Sequence, residues 1–116
     1  MNGTILLVED DDTLRMVKAD ALSLLEVNVI ECQNADEAVA VLESGILIKL
    51  LITDIRMPGR LDGLQLARLV ASHWPALGII VTSGNRSPTE ALPDKAGFMA
   101  KPWTLLDLLQ AVRPLL

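Results

Sequence analysis

The stretch Leu50-Leu51-Ile52-Thr53-Asp54-Ile55-Arg56-Met57-Pro58-Gly59 leaves a lone carboxylate, Asp54, at the end of a short apolar run and just before turn chemistry. A run of this kind, apolar without alternation, is expected of a parallel strand covered on both faces. Two further runs end in charge: Ile5-Leu6-Leu7-Val8 leads into Glu9-Asp10-Asp11, and Phe98-Met99-Ala100 leads into Lys101-Pro102. Three strand ends therefore carry acid, acid and base, and Asp54 is the expected functional centre.

Outward from these runs, strands are predicted at Thr4 to Val8, Val27 to Cys32, Lys49 to Thr53, Leu77 to Thr82 and Phe98 to Ala100, with helical periodicity between most of them. Leu14, Val17, Ala21 and Leu25 recur at spacings of three and four, which predicts the apolar stripe of a first helix capped by Asp12 or Thr13. Asn34 and Glu37 have the spacing of a capping box, and Gly45 marks the end of that second helix. Asp62 can cap a third helix, which Pro75 ends after Trp74. In the fourth crossover a helix starting near Pro88 meets Pro93 after little more than one turn, so a short or irregular fourth helix is expected. Alternating β and α elements with short connections predict an α/β fold, a doubly wound five-stranded parallel sheet with right-handed crossovers. Ligand sites in such sheets lie beyond the carboxyl ends of the strands, where the charged residues fall.

The 116 residues, 51% of them apolar, suit a single domain over 1–116. Mean hydropathy is high at +0.40, yet no run approaches the roughly 18 apolar residues that cross a bilayer, and the start lacks the apolar region of a signal peptide. A cytoplasmic protein without membrane attachment is expected. Cys32 and His73 are the only residues of their kinds, which excludes a disulfide framework and a Cys/His zinc cluster. Cys32 is expected to be a small buried hydrophobe, His73 an exposed residue near a helix end, and Trp74 and Trp103 packing residues. A net charge of -5 and no basic stripe interleaved with aromatics argue against direct nucleic-acid binding.

Convergence of Glu9, Asp10 and Asp54 at strand ends would create mutual repulsion of roughly 1 to 4 kcal/mol per pair at about 4 Å. Such a cluster wants a cation, and an oxygen-only donor set with room for water suits Mg²⁺. Lys101 would add a fixed positive charge. A carboxylate between a metal and an ammonium can attack phosphorus, since both cations neutralise the phosphoryl oxygens, and the Thr82 hydroxyl could donate to one of them. Acyl-phosphate formation on Asp54 is the inferred reaction.

These residues resemble the response-regulator receiver domains of two-component signalling, and the resemblance covers essentially the whole chain. The matching positions are Glu9-Asp10 for the acidic pair, Asp54 for the phosphoacceptor, Met57-Pro58 and Asp62-Gly63 in the following loop, Thr82 and Phe98 for the switch hydroxyl and aromatic, and Lys101-Pro102. The resemblance implies a flavodoxin-like (βα)5 fold and Mg²⁺ held also by the main-chain carbonyl of Arg56. It further implies phosphoryl transfer from a histidine kinase or histidine phosphotransfer protein, with no conventional turnover beyond the domain's own phosphorylation and dephosphorylation. Thr82 and Phe98 would then move together to change an output face around the fourth crossover and fifth strand.

Some features depart from the family pattern. Arg60 and Leu61 lengthen the stretch from Asp54 to Asp62 by one residue, so a bulged loop is expected, and Arg56 places a long cation two positions after the acceptor. Ser83-Gly84 resembles a variant of alphaproteobacterial receivers. In the fifth helix Leu105, Leu106, Leu108, Leu109, Val112, Leu115 and Leu116 span an arc of roughly 180°, wider than the ~100° of an ordinary surface helix, which predicts a homodimer or partner docking there. The alternatives are a small aspartyl-nucleophile phosphohydrolase, for which Arg56 stands where a second acid is needed, and a non-phosphorylated receiver that serves as a scaffold. A flavodoxin-like nucleotide-binding module lacks any Gly-rich fingerprint or P-loop here.

Overall fold

Successive side chains of a strand point to opposite faces, so an uninterrupted apolar strand needs a layer of helices on each side. The computed structural model describes residues 2–56, 61–83, 92–93, 95–100 and 103–116. Five strands, β1 (Thr4–Val8), β2 (Asn28–Cys32), β3 (Leu50–Asp54), β4 (Gly78–Ser83) and β5 (Gly97–Ala100), lie parallel in the order β2-β1-β3-β4-β5. The helices among the described residues are α1 (Asp12–Ser23), α2 (Ala35–Glu43), α3 (Gly63–His73) and α4 (Leu105–Val112), the last continued by a 3-10 turn over Arg113–Leu115. This is the flavodoxin-like strand order, whose direction of winding reverses between β1 and β3. Among the described residues no helix is long and apolar enough to cross a membrane.

The alternation divides the core in two. Leu6, Val8, Leu51, Ile79 and Val81 face Ala38 and Leu42 of α2 and Leu66, Ala67 and Val70 of α3. Ile5, Leu7, Ile52 and Ile80 face Leu22 of α1 and Leu108 and Val112 of α4. Burial of each such Leu or Ile contributes about 1.5–3 kcal/mol, which fixes the register of the strands and with it the alignment of their ends.

Local signals held best where polar atoms could be counted. Asp62 accepts from Gln65 N at 2.8 Å while Gln65 Oε1 accepts from Asp62 N at 2.9 Å, a complete capping box, and α3 ends at Trp74 before Pro75. Asn34 caps α2 through Glu37 N at 2.8 Å, but Glu37 Oε1 takes the N–H of Gln33 at 2.9 Å instead of closing the box on Asn34. Gly45, at φ +89°, follows directly after the cap residue Ser44. The expectation for α1 needs correction. Its cap is Asp11, not Asp12 or Thr13, with Oδ1 accepting from Leu14 N at 2.9 Å. Its buried residues are Lys18, Ala21 and Leu22, whereas Leu14 and Val17 are 41% and 36% exposed. The apolar count had overlooked a lysine that faces inward.

The connection after β3 is tight. Gly63 N donates to Ile55 O at 2.8 Å, which seats the start of α3 on the end of β3. A Cβ at position 63 would lie 1.6 Å from the Asp54 carbonyl oxygen, so only glycine permits this approach. Residues 57–60, within the stretch from Asp54 to Asp62 where a bulged loop is expected, and the start of the short helix expected near Pro88 lie outside the described residues. The helix expected as the fifth is α4.

Candidate functional site

β1, β3 and β4 run side by side, with Val8 opposite Thr53 and Asp54 opposite Thr82. Asp54 is thus the last residue of β3, and Glu9 leaves the end of the neighbouring β1. Glu9 is 2% exposed, and its N–H donates to Cys32 O at 3.0 Å, which carries the chain past the edge of β2. The result is a cluster in which one carboxylate oxygen from each of Glu9, Asp10 and Asp54 lies within 4.8 Å of the others. Ile55 N donates to Asp54 Oδ1 at 2.9 Å and fixes the plane of that carboxylate.

The electrostatics record the crowding. Burial, and then the charge of Glu9, push the Asp54 carboxyl above its ordinary range, against an opposing pull from Lys18 and the Ile55 N–H. Asp10 is pushed up as well, first by burial and then by its hydrogen bond to Glu9 and by the Glu9 charge. Three hard oxygen donors with surplus negative charge and no nitrogen or sulfur ligand fit Mg²⁺.

Lys18 is the site residue that sequence reasoning missed. Its Nζ donates to Glu9 Oε1 at 2.6 Å, and the two side chains are 6% and 3% exposed. The ammonium also lies 5.1 Å from the centroid of the Trp103 ring, a cation–π distance. Trp103 is therefore more than a packing residue. Its Nε1 is buried without a hydrogen-bond partner among the described residues. The signal was available: a cation among Leu14, Ala21, Leu22 and Leu25, at spacings that place it on one side with them, needs an internal partner. Arg15 braces the same loop, with Nη1 donating to Glu9 O at 2.9 Å and ion pairs to Asp12 at 2.7 Å and Glu31 at 3.6 Å.

A cleft of about 210 Å³ opens onto this cluster, lined by Glu9, Leu14, Val17, Lys18, Asp54, Thr82, Ser83, Trp103 and Leu105. Thr82 is 2% exposed. Phe98 is half-buried in β5, opposite Val81, and packs against the cluster that includes α2 and α3. Arg56 is exposed just beyond β3. Lys101 and Pro102 lie outside the described residues, as do Met57 and Pro58. Cys32 is buried as expected, which pushes its thiol up to about 11, and His73 is exposed at the end of α3 with Nδ1 3.1 Å from Leu69 O. On α4, Leu108 and Val112 are buried, while Leu105 and Leu106 are 37% and 62% exposed, as is Leu115 of the following 3-10 turn at 44%.

The sequence profile described as response regulator receiver domain matches residues 5–113. The chain belongs to the response regulator receiver domain family. This receiver is 35% identical over 114 residues, 95% of the chain, to the C4-dicarboxylate transport transcriptional regulatory protein DctD of Rhizobium meliloti, and spans 24% of that regulator's length. It superposes on a response regulator receiver protein from Sinorhizobium medicae with a TM-score of 0.87 at 30% identity, covering 97% of this chain and 92% of that one. The response regulator protein TrrA from Thermotoga maritima, solved in complex with Mg²⁺ and BeF, superposes with a TM-score of 0.86 at 25% identity, covering 98% and 99% of the two chains.

Proposed function

We propose that this receiver accepts a phosphoryl group on Asp54 from the phosphohistidine of a histidine kinase or histidine phosphotransfer protein, with Mg²⁺ held by Glu9, Asp10, Asp54 and the main-chain carbonyl of Arg56. The observation that carries the reading is the gathering of three carboxylates within 4.8 Å at the point where the winding of the sheet reverses. Bound Mg²⁺ would supply charge neutralisation at the phosphoryl oxygens. An Asp54 oxygen attacks phosphorus as the P–N bond of the donor breaks, and the imidazole nitrogen keeps the electron pair and takes a proton from solvent. The Ile55 N–H holds Oδ1 and so orients the nucleophile. Lys101 would face the phosphoryl group with its ammonium and Thr82 with its hydroxyl. That the related TrrA was solved in complex with Mg²⁺ and BeF supports Mg²⁺ as the cation of this receiver.

A phosphoryl adds about -1.5 to -2 charges, enough to draw Thr82 toward it and let Phe98 follow, which changes the face around β4 and β5. The outer strip of α4 and the 3-10 turn after it, with Leu105, Leu106 and Leu115, is proposed to meet a second copy or a docking partner. The domain would act as a cytoplasmic signalling switch that catalyses only its own phosphorylation and dephosphorylation. Intact-mass measurement after incubation with acetyl phosphate and Mg²⁺ tests the reading. One added phosphoryl is expected in wild type and none in Asp54→Asn; equal incorporation in both, or none in either, would reject it.

A further inference from the structure

We infer that Lys18 is a built-in competitor of the divalent cation, a positioning residue that holds Glu9 and sets how tightly the acidic cluster binds metal. The inference rests on the magnesium reading above. A lysine is almost never fully buried without a partner, and the partner here is Glu9, at 2.6 Å. The other Glu9 oxygen, Oε2, accepts from Asp11 N at 3.1 Å, so both oxygens already have donors before any metal arrives. Trp103 covers the ammonium from a second direction at 5.1 Å, and Val17 and Leu14 line the same cleft. Lys18 therefore has an apolar surround that keeps its charge on Glu9.

The three carboxylates thus present one negative charge fewer than their number suggests. Because affinity for a hard cation follows the charge count of its ligands, and because an ammonium a few ångströms away repels a dication, Lys18 weakens metal binding. It also stabilises the metal-free fold, since without it the buried Glu9 would lose its ion-pair partner while the Asp10 and Asp54 carboxylates stayed close. The same residue stabilises the pocket in the metal-free protein and makes the metal exchangeable.

Titration calorimetry of MgCl₂ into the metal-free full chain tests this with Lys18→Met, which keeps an apolar stem, and Lys18→Arg, which keeps the charge. Lys18→Met is expected to bind Mg²⁺ about tenfold more tightly than wild type, and Lys18→Arg to stay close to wild type. The melting temperature of Lys18→Met is expected to be lower than wild type in chelator and to rise more on adding Mg²⁺. Unchanged or weaker binding by Lys18→Met overturns the inference, as does Lys18→Arg binding as tightly as Lys18→Met. If Lys18→Met is unfolded in chelator, the Mg²⁺ midpoint of the melting-temperature rise in Lys18→Gln decides by the same criterion. Absence of any Mg²⁺ response in wild type would instead reject the metal reading itself.

Discussion

Asp54→Asn should make the metal-free domain more stable, because the cluster holds more negative charge than its surroundings compensate. Oxygens of Glu9, Asp10 and Asp54 lie within 4.8 Å of one another. Each like-charge pair at that separation costs about 1 kcal/mol at the dielectric of water and about 3.5 kcal/mol at an effective value near 20. Asp54 feels two such repulsions and one attraction, from Lys18, which leaves roughly one uncompensated. Because Asp54 is only partly buried, the lower part of the range applies, about 1–2 kcal/mol. Asparagine keeps the shape and an oxygen for the Ile55 N–H, so the loss of charge is isolated. The expected gain in melting temperature at neutral pH, in chelator, is about 4–8 °C.

The pH dependence supplies a second check. Burial and Glu9 raise the folded-state value of Asp54 above its ordinary 3.8. Below that ordinary value the carboxyl is neutral in both folded and unfolded chains and carries no penalty; as pH rises through the folded value, the wild type loses that stability. The advantage of Asp54→Asn should therefore be full at neutral pH and shrink toward zero in acid. Mg²⁺ should reverse the order, since it stabilises the wild-type cluster more. Circular-dichroism melts across this range decide the matter. An Asn variant that melts at or below wild type in chelator, or a gap that widens in acid, would refute the charge argument.

Three further outcomes are expected. Gly63→Ala would drive a Cβ to within 1.6 Å of Asp54 O, so it should cost about 3 kcal/mol or more in denaturant unfolding; a loss below about 1 kcal/mol would mean that the end of β3 moves freely. Glu26→Gly relieves a left-handed backbone at φ 58° and should raise stability by about 0.5–1 kcal/mol after the entropy of the unfolded chain is counted, measurable as a higher urea midpoint. Arg56→Asn should change the half-life of the phosphorylated form, because the exposed guanidinium stands two residues beyond the acceptor, and an unchanged half-life would remove Arg56 from the reaction.

The strands were legible because burial on both faces demands unbroken apolar runs, and Leu50 to Ile52 and Ile5 to Val8 can satisfy little else. The caps at Asn34 and Asp62 were legible because a side-chain acceptor at fixed spacing has a local reason to exist. Glu9, Asp10 and Asp54 were legible as a group once parallel topology aligned the strand ends. Lys18 was not, because helical periodicity was counted in apolar residues alone and its partner is supplied from another element. Leu14 and Val17 failed for the matching reason: they border the cleft, where apolar side chains remain partly exposed.

The placement of the two indoles has an optical consequence. Trp74 packs with the α2–α3 layer and Trp103 with the α1–α4 layer, so the sheet stands between them, and the chain contains no tyrosine to add emission of its own. Of the two, only Trp103 borders the acidic cleft, and its ring lies 5.1 Å from the Lys18 ammonium. The molecule thus carries an intrinsic chromophore at its charged rim and an internal reference on the far side, and events at the rim can be followed by light without attaching a dye.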